Sequence, residues 1–446
     1  MGNSQREKVA KAKGGRASKI NLREAVSIGI GGMVGGGIFA VLGLSVELAG
    51  GAVPLSFLVA GIIALLTAYS YSKLSVAFPD AGGTVRFINE GLGRGWFSGG
   101  LNNMLWVSYI IMLALYSSAF GSYASSLFSL TGYSELDSHL FISLIILLST
   151  AINYYSISVV GEVEAVAVVI KLIILVVFVA VGLYFLPSNP EITQLSPGHW
   201  ESPLKWIAGG MVIFVAYEGF ELIANSSPDI EKPKKNIPKA FFISVLFVIG
   251  LYLAIALVTV GSLSFDKIAA ASDYALAEAA KPIFGQWGFT VISVAAMIST
   301  FSAINATLLG GSRVNFDVAK EREMPQEFTH LFWGKPIGLA FISGAALVLA
   351  NTVDLESIST AGSAGFLVLF AMVNYTSGKL SQQIQSKKII SLLGMALCFL
   401  AFGILVFQQL TENPIGIGIA MGLFALCFLG EIIYRKKGLI KEYPQE

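Results

Sequence analysis

Charge is scarce in this chain. Only 13% of its 446 residues are Asp, Glu, Lys or Arg, where a soluble protein carries roughly a quarter. The shortage runs along the whole length, and no stretch between apolar runs is long enough to fold as a separate domain. Cysteine and histidine are scarcer still. Cys398 and Cys427 fall in the last two apolar runs and read as small apolar residues, not as a bridge. His139, His199 and His330 are far apart, so neither a transition-metal site nor a cofactor is expected. The apolar runs hold no nucleophile with a histidine nearby, which argues against an enzyme. No GxxxxGK[ST] loop is present, so no nucleotide-driven step is expected, and no nucleic-acid partner either. The N-terminal arm, MGNSQREKVAKAKGGRASK, lacks a short apolar core followed by a small-residue cleavage site, so it does not read as a signal peptide.

What the chain has is hydrocarbon. Apolar residues make up 55%, and a bilayer crossing needs about 20 of them in a run. Twelve candidate spans follow, near 24–49, 53–78, 98–129, 138–158, 163–186, 204–226, 239–262, 286–312, 337–352, 355–377, 389–408 and 414–434. The expected fold is an all-α polytopic membrane protein with twelve transmembrane helices. With the N-terminus cytoplasmic, the inner segments hold 25 of the 29 Lys and Arg, the outer loops hold Lys205, Lys267 and Lys281, and Lys171 is left inside a span. That bias follows the positive-inside rule. It predicts a multi-pass protein of the cytoplasmic membrane with both termini inside. The basic arm, 1–21, is expected to lie disordered against anionic lipid, and 435–446 to form a cytoplasmic tail.

Two spans are irregular. GIGGMVGGGIF, residues 29–39, has six glycines in eleven positions, each unfavourable in a helix by about 1 kcal/mol relative to Ala. Tight helix packing accounts for Gly29 or Gly32, but three glycines in a row cannot all face one neighbour, so 35–37 reads as an unwound segment. FVAYEGFE, residues 214–221, puts Gly219, Glu218 and Glu221 where hydrocarbon is expected. A carboxylate facing lipid there is disfavoured by roughly 2.5–3.5 kcal/mol or more. The alternative for Glu221 is a hydrated helix end. These breaks fall in spans one and six, five apart. Because five is odd, a second copy of a five-helix unit enters from the opposite face, as in inverted-repeat transporters. The expected units are 22–186 and 204–377, with two further helices over 389–434.

With REAVSIGIGGMVGGGIF (23–39), PDAGGTVRFINEGLG (79–93), AYEGFELIANSSPDIEKPKKNIPKA (216–240) and STFSAINATLLGGSRVNFDVAKEREMP (299–325) in this order, the chain resembles permeases of the amino acid–polyamine–organocation superfamily, which have the LeuT-type 5+5 fold. The resemblance covers nearly the whole chain. It departs from many members at Thr84 and Val85, where an aromatic residue often follows the paired glycines. The resemblance implies that Gly35, Gly36, Gly37 and Ile38 bind an amino acid's carboxylate through backbone N–H groups, as a helix N-terminus can. The ammonium would meet carbonyls near Gly31, Gly32, Phe214 and Val215. Phe214, Tyr217 and Phe220 would contact the side chain or close the pocket, ordinary packing being the alternative for each. Tyr217, Phe220 and the apolar surround suggest neutral amino acids, while Glu218 leaves room for a cationic one.

Lys171 sits in VVIKLIILV, 168–176. One reading has it snorkel to the inner headgroups. The other follows from the resemblance, since some sodium-independent members, proton-coupled amino acid transporters, carry a lysine within GEVEAVAVVIKLIIL-like sequences. Its partners would be a carbonyl near Gly31 and the hydroxyls of Ser299 and Ser302. Holding an ammonium away from water is unfavourable, so a group that loads and releases a proton during transport would fit there. Glu218 and Glu221 are further candidates for gating or coupling. Asn305 reads as a cross-helix hydrogen-bonding residue, and Pro233 and Pro238 as helix boundaries. The expected activity is secondary transport of amino acids, proton-coupled symport by alternating access. The alternatives are an amino acid exchanger and, from another class, a lysine-linked chromophore protein.

Overall fold

The computed structural model describes residues 19–155, 157–320, 328, 330–332 and 335–436. The arm up to residue 18, most of 321–334 and the tail beyond 436 lie outside the described residues. Apart from one hairpin of two-residue strands, Leu331–Phe332 with Lys335–Pro336, the described secondary structure is helical. Ten helices are long and apolar enough to cross a membrane, eleven when the bent pair Leu22–Met33 and Gly37–Ala49 counts as one. The remaining expected crossing, 337–352, is the apolar helix Gly338–Thr352 of 15 residues, short of the about 20 a full crossing needs. Leu144, Leu147, Ile173, Val177, Phe407 and Leu426 stand exposed on the outside. An apolar rim of this extent fits a hydrocarbon solvent.

Local chemistry explains where the first helix starts and stops. Asn21 caps it, accepting from the Arg23 and Glu24 amides while Glu24 accepts from the Asn21 amide, a reciprocal capping box. It ends at Met33, and the chain resumes as a helix at Gly37, bent by 45°. The sixth span begins at Pro203, runs to Val212, tightens to a 3-10 turn over Ile213–Tyr217, and breaks at Gly219, whose φ of +112° favours glycine. One further turn, Leu222–Asn225, follows. Spans one and six are joined at both ends. Ile20 pairs with Ile230 at one face, and Gly50 with Trp200 at the other, so the two broken helices run antiparallel.

Two expectations need correcting. Pro233 does open the seventh helix, but Pro238 lies inside Pro233–Ser262 and bounds nothing. Its missing N–H forgoes one helical hydrogen bond, that to the Lys234 carbonyl, and the helix runs on. The eighth helix begins after Gly285, whose φ of +66° parts it from a short helix opening at Ala275, and it runs on to Lys320, beyond the expected end at 312. Its last turns carry Arg313 and Asn315, which hid them from a reading by apolar runs.

Candidate substrate and coupling site

The two breaks touch. A Cβ on Gly32 would lie 2.6 Å from the Gly219 carbonyl oxygen, and one on Gly37 would lie 2.7 Å from the Ala216 Cα. Only glycine permits this approach of backbone to backbone. Neighbouring helices occupy the carbonyls that the breaks set free. Tyr252, on the seventh helix, donates to Met33 O at 2.7 Å and to Ala216 O at 3.1 Å, so one hydroxyl spans both breaks. Ser299, on the eighth, donates to Val34 O at 2.9 Å and also to Gly35 O. Ser359 and Ser363, on the tenth, donate to Val212 O at 2.8 and 2.7 Å, and Ser363 accepts from the Val215 amide.

Lys171 is buried, 1% exposed, although Val169, Ile170 and Ile173 around it face outward. Its Nζ donates to Gly31 O at 3.2 Å. The side chain therefore points into the protein at the first break and does not snorkel. Glu218 and Glu221 are buried too. Glu218 accepts from the Tyr116 hydroxyl at 3.2 Å, and Glu221 accepts from the Gly219 amide at 2.8 Å. The breaks thus gather one amine and two carboxylates.

A cavity of about 30 Å³ lies between them, lined by Gly31, Gly32, Tyr116, Glu218, Ser302 and Thr307 among others. That suffices for water and is far below the hundreds of Å³ of a ligand pocket, so the conformation is closed around the breaks. Gly35, Gly36, Gly37 and Ile38 are not on its wall. A Cβ on Gly36 would run into the Tyr116 ring, which itself lines the cavity. Phe214 and Phe220 pack on Phe370, at 5.9 and 5.1 Å between ring centres, and Tyr217 donates to Phe57 O at 2.9 Å. These three aromatics are packing partners here, not cavity wall. Val215 is held by Ser363, and Ser299 bonds the first break's carbonyls. Asn305 ties helices together, accepting from Asn153 at 2.8 Å and donating to Ser149 at 3.4 Å.

Sequence reasoning missed Tyr116, Tyr252 and Ser363. Each lies on a helix whose composition is ordinary for a membrane, and each partner is 36 to 219 residues away. The one available signal was a polar hydroxyl within an apolar run.

Among known sequences, the family described as Amino acid permease matches residues 20–335. The chain belongs to this family. It is an amino acid permease of the amino acid–polyamine–organocation superfamily, a membrane-embedded transporter. It is 34% identical to an uncharacterized protein, MJ0609, of Methanocaldococcus jannaschii, over 94% of this permease and 95% of the relative. It is 29% identical to the inner membrane transport protein YbaT of Escherichia coli, over 84% and 86%. It is 28% identical to the branched-chain amino acid permease BcaP of Lactococcus lactis, over 79% and 80%.

Proposed function

We propose that this permease carries amino acids across the cytoplasmic membrane together with protons, by alternating access, and that Lys171 is the coupling group. The observation that carries the reading is the buried Lys171 ammonium on the Gly31 carbonyl, beside the place where the two broken helices meet. A cation held there ties the fifth helix to the first break. Proton loss removes the charge-assisted bond and frees the first helix to move. Gly35, Gly36, Gly37 and Ile38 would then bind the carboxylate once the Tyr116 ring swings away. Ser302, on the cavity wall, is placed to join the ammonium network. In this reading 22–186 and 204–377 are inverted repeats, supported by the antiparallel pairing of spans one and six at both ends. Both termini are cytoplasmic, supported by the bias of Lys and Arg.

A neutral amino acid is the first reading of the substrate, supported by the largely apolar helices around the breaks and by the name of the Lactococcus relative, a branched-chain amino acid permease. A cationic one is the second, favoured by Glu218 on the cavity wall. In proteoliposomes with a set pH gradient, Lys171→Ala should abolish substrate-driven proton movement. Wild-type proton flux and uptake in that variant would rule the coupling out. An exchanger would differ by requiring amino acid inside the vesicle before uptake begins.

A further inference from the structure

The largest cavity among those described is far from the Lys171 contact. At the membrane face opposite Leu22, six helical segments enclose a vestibule of about 680 Å³. Five carboxylates line it, Glu47, Glu135, Asp273, Asp354 and Glu356, and no Lys or Arg does. None of the five belongs to an ion pair among the described residues. Four of them, without Glu135, stand near enough for like-charge repulsion when ionised: Glu47 with Asp273, Asp273 with Asp354, and Glu356 with both Asp354 and Glu47. His139 is the one other ionisable side chain on the wall besides Tyr274, and its Nδ1 is engaged with Asn351 at 3.0 Å.

Helix-end electrostatics explain only part of this. Glu135, Asp273, Asp354 and Glu356 stand at or just before helix starts, where an anion is welcome. Glu47 is in the last turn of Gly37–Ala49, the end at which an anion is disfavoured. Nothing in the fold of its own helix calls for a carboxylate there. A second observation comes from Ser118 on the same wall. It is 7% exposed, and its hydroxyl has no hydrogen-bond partner among the described residues. A buried hydroxyl left unpaired is unfavourable, and rotation about its Cα–Cβ bond would turn it towards a ligand in the vestibule.

We propose that this vestibule is a binding site for an organic cation, which takes the ammonium or guanidinium end of a cationic amino acid among Glu47, Asp273 and Glu356 before it reaches the broken helices. The choice of a cationic amino acid as its natural ligand rests on the second substrate reading above, while cation binding itself does not. Carboxylates of one sign in a walled cavity focus the field and raise the local concentration of cations. An amino acid with an acidic side chain is repelled at the same place.

The test uses the full chain in lipid nanodiscs, with butylguanidinium as a probe that lacks a carboxylate and so has nothing for the first break's amides. At fixed ionic strength, butylguanidinium should raise the unfolding temperature saturably, and butyrate should not. Glu47→Gln and Asp273→Asn, made separately, should each raise the half-saturating concentration at least about fivefold, and Lys171→Ala should leave it unchanged. Absence of saturation in the wild type would overturn the proposal, as would wild-type affinity in both variants. Full displacement by micromolar Ca²⁺ would assign the vestibule to a metal ion and overturn it as well. Unaltered proton flux in Lys171→Ala would sink the coupling scheme while leaving butylguanidinium binding intact, so the two failures are distinguishable.

Discussion

Two glycines at the first break make different contacts, and the difference predicts different phenotypes. An added methyl on Gly32 meets backbone, the Gly219 carbonyl, while one on Gly36 meets the ring of Tyr116. Backbone of the opposing helix cannot step aside, but a ring can rotate. Gly32→Ala should lower the unfolding temperature and yield little folded protein, as judged by size-exclusion chromatography of the detergent extract. Gly36→Ala should fold, yet raise the half-saturating amino acid concentration by roughly tenfold, about 1.4 kcal/mol of lost contact. Normal uptake by folded Gly36→Ala would remove that glycine from the carboxylate site. At this scale the sequence was uneven. Lys171 announced itself because an amine among branched hydrocarbons has so few stable solutions. Phe214, Tyr217 and Phe220 did not announce their packing role, because an aromatic ring suits a pocket wall and a helix contact equally well.

Both breaks were legible as elements, since consecutive glycines and paired carboxylates are each unfavourable in a lipid-facing helix. The clamps that hold the breaks were not. Tyr252 and Ser299 come from helices with no irregularity of their own, and only the folded chain brings their hydroxyls to Met33, Ala216, Val34 and Gly35. Removing either hydroxyl leaves buried carbonyls unpaired, which is unfavourable by about 1–3 kcal/mol each. Tyr252→Phe and Ser299→Ala should therefore lower thermal stability in detergent. Tyr252→Phe should have the larger effect on transport, because it loosens both broken helices at once. A variant as stable as the wild type and equally active would show that the Tyr252 bridge is dispensable.

For the whole molecule, hydropathy made the membrane-spanning helices legible, because it acts over whole segments and tolerates errors of a few residues. The same averaging blurred the ninth helix, whose 15 residues fall short of a crossing, and the last turns of the eighth. The orientation has a direct check. In a background with Cys398 and Cys427 replaced by serine, a membrane-impermeant maleimide should label Glu201→Cys in intact cells, and Lys234→Cys only after permeabilisation. The reverse pattern would invert the topology. One asymmetry between the broken helices bears on how such a molecule would move. The first has 12 and 13 residues on its two sides, but the sixth has only Leu222–Asn225 beyond Gly219. A single turn is too short to keep its shape without neighbours. It is therefore the thinnest leaf of the assembly and the least effort to fold back, which makes the floor beneath the paired breaks a more natural trapdoor than the roof.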